Sequence, residues 1–389
     1  MTATRVIGAA TLAAAWALAA WLLWDTVVPA GVDPPPVDAS AVAPDLERRE
    51  RHAAFLRWLG VALLVVQLIV LAALARRPPR VPGPALVRAA LLAAAVVLAL
   101  AAARLPFVVA AHWWQRRYEI RHQGYGGRLV DLLPSLGTAL AVGVVAAVVL
   151  VALARRLGAR WWVAGAPAVA LIGAAVIVVQ PLLTPRLDPL ADERVVARVE
   201  ALAQRQGLAP PEVELQEFAT RTRAVNALAL GIGPTTRVIL WDTALALPPR
   251  ELDFLVAHEL AHVLRKHLWK GAAWFALLAL PGIALVARVA DLREPAQVPR
   301  AALAIALFAL AVSPLGNAVS RRYEAEADWV AVRTTGDGPG GRALLERLGA
   351  LALSDPDPPQ PATALFGTHP PLVARVALVS AADRSPGGS

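Results

Sequence analysis

Apolar residues gather into seven runs along this chain, each near the 20 residues that a helix needs to cross a bilayer: about 6–24, 55–75, 86–110, 134–154 and 161–182, then 268–288 and 299–319. The pattern predicts a mainly α, polytopic membrane protein with about seven transmembrane helices. Trp16, Trp21, Trp24, Trp58, Trp113, Trp114, Trp161 and Trp162 mostly fall near the ends of runs, as interfacial anchors do. The first run follows Arg5, but its apolar core is long and no Ala-x-Ala site follows "WLLWDTVVPAG", so an uncleaved anchor is expected. Polar residues collect in three places. "GVDPPPVDASAVAPDLERRE", residues 31–50, reads as a solvated loop leading into a short helix, while 184–267 and 320–389 must build any domain outside the membrane. The expected organisation is therefore 1–183 with five spans, 184–267 as an extramembrane segment, 268–320 with two more spans, and 321–389 as a C-terminal segment.

Within 184–267 the periodicity changes. "LADERVVARVEALAQRQGL" repeats as a helix does and ends at Gly207, whereas "PEVELQEF", "RAVNALALGIG" and "TRVILW" read as strands, the second closed by Gly231 and Gly233. A small β-sheet followed by a helix is expected. That helix opens at "ALPPRELDFLVAHELAH", where Pro248 and Pro249 suit a first turn and Glu251 and Asp253 its positive end, and it should run unbroken toward the sixth span.

Composition narrows the chemistry. Of 389 residues, 57% are hydrophobic and 17% charged, too few charges for a soluble protein of this length. Lys266 and Lys270 are the only lysines, so the net charge of +9 is carried by arginine and reads as a GC-rich coding bias, as in a bacterium. No Lys/Arg run tracks a phosphate backbone, which argues against nucleic acid as a partner. With no cysteine, any metal must be held by His, Asp and Glu.

"VAHELAHVLRKH", residues 256–267, supplies such a set. Positions four apart share one helix face, so His258 and His262 can point two imidazoles at one ion, with Glu259 beside them as a general base. An incidental helix pair is the alternative, because catalytic zinc usually has three protein ligands. A metzincin extension is excluded, since Arg265 and Leu268 stand where Gly and His are needed. His267 lies about 140° around a continuous helix from His262 and should face elsewhere, at a surface or interface. In "NAVSRRYEAEADWVAVR", Glu324 and Asp328 share a face and Glu326 points away. Glu324 is the candidate third ligand, and Asp328 is placed to hydrogen-bond a ligand histidine. An ordinary solvated juxtamembrane helix would show the same spacing.

"HELAH" before one span, "SRRYEAEADWVA" after another, "VNALALG" upstream and "THPPLVARVA" near the C-terminus together resemble the integral-membrane zinc endopeptidases of the CAAX prenyl protease 1 type, related to HtpX-like membrane proteases. The resemblance is specific from about residue 184 onward and implies a gluzincin-like protease domain with one Zn2+ per chain held by His258, His262 and Glu324, and Glu259 as general base. It implies two further roles. Asn226 matches the asparagine of an edge strand that pairs with substrate backbone, followed here by Ala227 and Leu228; the family commonly has an aromatic residue at the position of Leu228. His369 matches a histidine that donates a hydrogen bond to the tetrahedral intermediate.

The expected function is zinc-dependent hydrolysis of peptide bonds in membrane-associated proteins or peptides. Two alternatives stand beside it: an HtpX-like quality-control protease of misfolded membrane proteins, and a non-catalytic membrane scaffold that keeps the fold without turnover. Arg48, Arg49, Arg51, Arg57, Arg116, Arg117, Arg121, Arg128, Arg321 and Arg322 fall on the side of the catalytic segment, so the zinc site is expected on the cytoplasmic face. Gln67, Arg88, Arg104, Gln180 and Asn317 lie in or near spans, where polar groups must face protein or water.

Overall fold

A computed structural model describes residues 3–183, 187–231 and 236–385, with the backbone alone described at 3–9, 12 and 178–183. Gly233 and the side chain of Gln180 lie outside the described residues. The N-terminal half is a bundle of long apolar helices: α1 (Ala3–Trp24), a short α2 (Ala39–Val42), α3 (Leu46–Arg76), α4 (Ala85–Arg117), a short α5 (Tyr125–Val130), α6 (Leu133–Leu157) and α7 (Trp161–Leu183). A four-stranded sheet and one helix follow, as β1 (Asp188–Pro189), α8 (Glu193–Arg205), β2 (Glu212–Gln216), β3 (Ala227–Leu230) and β4 (Arg237–Trp241). The chain closes with α9 (Pro249–Leu264), α10 (His267–Val289), α11 (Val298–Thr335), α12 (Gly338–Ala352), α13 (Gln360–Phe366) and α14 (Leu372–Arg384).

Five stretches among the described residues are long and apolar enough to cross a membrane: Leu46–Arg76, Ala85–Arg117, Tyr125–Ile177, His267–Val289 and Pro295–Thr335. Long helices stand at all seven expected positions, and five stretches meet this criterion. Tyr125–Ile177 takes in two expected spans, because α6 and α7 are joined by only a three-residue 3-10 turn, Gly158–Arg160. The first expected span is occupied by α1, a 22-residue helix, of which Ala13–Trp24 is apolar among the residues with described side chains. Leu92, Val151, Ala154, Trp161, Ile283 and Val286 form the buried core that holds α4, α6, α7 and α10 together. α7 and α10 approach closely at Gly173, where a Cβ would press on the Phe275 ring.

Outside the bundle, the sheet runs in the order β1-β2-β4-β3, with β2 and β4 parallel and the other pairs antiparallel. β4 is central and apolar, with Val238, Ile239 and Leu240 all buried, as a strand covered on both faces should be. Glu214 on β2 is fully buried and takes two hydrogen bonds from Arg237 Nη1, at 2.9 and 3.0 Å, so its charge is paired. β3 pairs on one side only. Its outer edge is open within the sheet.

α9 is the middle of this domain's core. Phe254, Val256 and Leu260 pack with Val238 and Leu240 of the sheet, Trp329 and Val332 of α11, and Leu344 and Leu345 of α12. Gly341 lets α12 sit directly on the Phe254 ring, which a Cβ would strike. α8 is capped by Asp192, which accepts from Arg194 and Val195 N–H. At its other end Gln206 Nε2 donates to Ala257 O and Thr334 Oγ1, tying α8 to α9 and α11.

The expected unbroken helix from 249 into the sixth span is corrected. α9 ends at Leu264, Lys266 takes a left-handed conformation (φ 56°), and α10 begins afresh at His267. A left-handed residue cannot continue a right-handed helix, so the chain changes direction there. In the opposite sense, α11 runs as one helix from the seventh expected span straight into the acidic cluster at 324–328.

Candidate metal centre and substrate edge

α9 carries His258 and His262 one turn apart, and α11 crosses it to bring Glu324 between them. His258 Nε2 lies 3.2 Å from His262 Nε2 and 3.4 Å from Glu324 Oε2, while His262 Nε2 lies 3.6 Å from Glu324 Oε1. Among the described residues this is the group able to hold a metal ion, with its ligand atoms all within 4.8 Å of one another. Ligand atoms about 2.0–2.1 Å from a tetrahedral zinc stand about 3.3 Å apart. The observed spacings fit that figure. Glu324 Oε2 is moreover buried without a well-formed hydrogen bond, an arrangement that a cation would satisfy.

Each histidine turns its Nε2 to the shared space and its Nδ1 to a backing group. Asp328 Oδ1 sits 2.9 Å from His258 Nδ1, and Arg375 of α14 grips the Asp328 carboxylate with two hydrogen bonds of 2.7 Å. Asp328 is fully buried, so the guanidinium is what keeps its charge tolerable, and leaving either partner alone would cost about 3–5 kcal/mol. Burial works against the charged form of His258, but Asp328 and then Glu324 outweigh it and raise its pKa to about 10. His262 goes the other way, down to about 3, through burial and the proximity of His258. Burial pushes the Glu259 carboxyl up to about 7, and the negative charge of Glu324 adds to the effect, so Glu259 can take and return a proton near neutrality.

The expectation drawn for His267 from a continuous helix is corrected. His267 is buried, not at a surface, and its Nδ1 lies 2.8 Å from His262 Nδ1. The left-handed turn at Lys266 swings it back, so the 140° of an ideal helix does not apply. Glu326 points away from Glu324 as expected, and it is fully buried, meeting His267 Nε2 at 2.8 Å. Arg375 was also missed: it is one arginine in an arginine-rich chain, and no local spacing marks it.

β3 runs beside this group. Trp241 N–H donates to Asn226 O, so Asn226 and Leu228 direct their backbone groups at β4, and the alternation of an antiparallel ladder turns those of Ala227 and Ala229 to the open edge. The Ala229 N–H in fact reaches the Glu259 carboxylate. Ala227 is buried, Asn226 and Leu228 are exposed. On the other side, His369 occupies the loop between α13 and α14, with Nε2 3.4 Å from Glu324 Oε2. Thr368 Oγ1 is 3.1 Å from His369 Nδ1 and can donate to it, which leaves Nε2 as the ring's donor. α11 positions this loop: Asn317 Nδ2 donates to Ala364 O, and Arg321 donates to both Thr363 O and Gly367 O. Asn317 thus spends its polar group on protein. Between α10 and α11 a cavity of about 390 Å³ opens from His262 and Glu324 along the apolar walls of Trp274, Phe275 and Leu315.

A model of peptidase family M48 matches residues 189–383, which is the sheet, α9 and everything through α14. The chain belongs to peptidase family M48. The uncharacterized metalloprotease YhfN of Bacillus subtilis is 25% identical over 60% of this chain, and the match takes in 59% of YhfN's own length. An HtpX protease homologue of Acidiphilium cryptum is 30% identical over 64% of this chain and 91% of its own. A CAAX prenyl protease 1 homologue of Oryza sativa is 28% identical over 53% and 52% respectively. The crystal structure of S. mikatae Ste24p shares the fold across 97% of this chain and 99% of that one, with a TM-score of 0.70 at 16% identity. The kinship read from the four motifs therefore holds, and the fold extends beyond the M48 segment to the whole bundle.

Proposed function

We propose that this M48 chain is a zinc-dependent endopeptidase embedded in a bacterial cell membrane, cutting peptide bonds of membrane-associated polypeptides on the cytoplasmic side. The observation that carries this reading is the His258, His262 and Glu324 triangle with Glu259 and the open edge of β3 against it. Zinc held by those three side chains supplies Lewis-acid polarisation of the scissile carbonyl and a more acidic water. Glu259 takes the proton of the attacking water and passes it to the departing nitrogen. An extended peptide adds to β3 through the outward-facing backbone groups of Ala227 and the carbonyl of Ala229, with the exposed Asn226 and Leu228 as its side-chain neighbours. The apolar cavity between α10 and α11 suits a hydrophobic part of such a substrate.

The reading is tested by stripping the detergent-solubilised protein with a chelator and adding metals back. Cleavage of a quenched-fluorescent peptide should vanish with the metal and return with about one zinc per chain; cleavage that survives stripping rejects it. His369 should act on the oxyanion and not on metal binding. His369→Ala is expected to lower kcat by on the order of 10²-fold with zinc content unchanged, the usual cost of one such donor. A variant that loses zinc instead would make His369 a ligand.

A further inference from the structure

His262 has a backing as complete as that of His258, built from residues the mechanism does not use. His267 lies face-on to the Tyr323 ring, with centroids 4.6 Å apart and planes 5° from parallel. Its two nitrogens bridge His262 Nδ1 and Glu326 Oε2, each at 2.8 Å. Glu326 also accepts from Arg265 Nε at 2.7 Å and from the Val27 backbone N–H at 2.9 Å, and Lys270 Nζ stands 3.6 Å away.

The order of protons along this line is fixed by what each atom can do. A carboxylate only accepts, so His267 Nε2 carries the hydrogen that faces Glu326. A neutral imidazole carries one ring hydrogen, and in His267 it is this one. His267 Nδ1 then offers a lone pair, and His262 Nδ1 must be the donor across the 2.8 Å contact. That leaves the lone pair of His262 on Nε2, the atom facing His258 and Glu324.

We propose that His267 and Glu326 are positioning residues that fix the tautomer and ring orientation of His262 for metal binding, and that the Val27 N–H fastens the segment after α1 to the same device. The proposal rests on the metallopeptidase reading above. Outer hydrogen-bond partners of this kind typically govern metal affinity by 10–100-fold.

The test measures zinc affinity by chelator competition on the full chain in detergent, for the intact protein, His267→Phe, Glu326→Gln and the double variant, with thermal unfolding of each in its zinc-free form. His267→Phe keeps a ring against Tyr323 and removes both nitrogens. It should weaken zinc binding by about 10–100-fold and shift the visible bands of the cobalt(II)-substituted protein. Glu326→Gln should weaken zinc by less, and the double variant should be no weaker than His267→Phe, because Glu326 acts through His267. Should His267→Phe fail to fold, Glu326→Gln decides alone: weaker zinc at an unchanged zinc-free unfolding temperature supports the proposal. Unchanged zinc affinity with a lowered unfolding temperature makes the group a structural clamp and overturns it, as does an additive loss in the double variant. An intact protein without zinc overturns the metallopeptidase reading and the proposal together.

Discussion

Glu259→Gln is expected to leave the protein folded and zinc-loaded yet to lower peptide cleavage by about 10²–10⁴-fold, the contribution of a well-placed general base. Glutamine matches glutamate in shape, so the packing of α9 against the sheet survives the exchange. It also removes the carboxylate that burial has raised to about 7, and with it the means of moving a proton near neutral pH. The decisive measurement is kcat/KM on a quenched-fluorescent peptide, beside metal content by elemental analysis. Equal zinc with activity near background assigns the base. Equal zinc with near-normal activity would show that another group takes the proton, and the non-catalytic scaffold would gain if the intact protein were no faster than the variant.

Glu324→Ala should act on the metal itself. Structural zinc sites bind with about 10–16 kcal/mol spread over four ligands, so one carboxylate accounts for roughly 3 kcal/mol, a hundredfold or more in Kd. The change should leave folding largely intact, because Glu324 Oε2 makes no well-formed hydrogen bond that would be lost. Zinc bound to the intact chain and to Glu324→Ala with equal affinity would rule this carboxylate out as the third ligand. Activity should fall at least in proportion to metal occupancy, and excess zinc should recover part of it.

Much of the site could be read in the sequence because helical spacing is itself geometry. His258, Glu259 and His262 come within one turn of a single helix, and the four-residue step from Glu324 to Asp328 survives intact in α11. The sheet was legible for a similar reason: alternation and glycine boundaries mark β2, β3 and β4 to within a few residues. The break at Lys266 was not, since left-handed backbone announces itself through Gly or Asn and here a lysine adopts it. One unmarked dihedral misplaced His267, and the role of Glu326 was hidden with it. Arg375 was hidden differently, as its carboxylate partner is 47 residues away and only the packing of α14 on α11 unites them. α6 and α7 stand where two spans were expected, and the exposed Arg155, Arg156 and Arg160 mark the tight turn that joins them.

α11 joins an apolar run ending near residue 319 to the carboxylate at 324 without a break in the helix. At 1.5 Å per residue, Glu324 therefore stands about 7.5 Å beyond the end of that run. In the proposed peptidase this helix would act as a fixed depth gauge, setting how far from the bilayer surface a bond must lie to be cut. Such a site would select a polypeptide first by the height at which it exposes an extended stretch, and only then by its side chains.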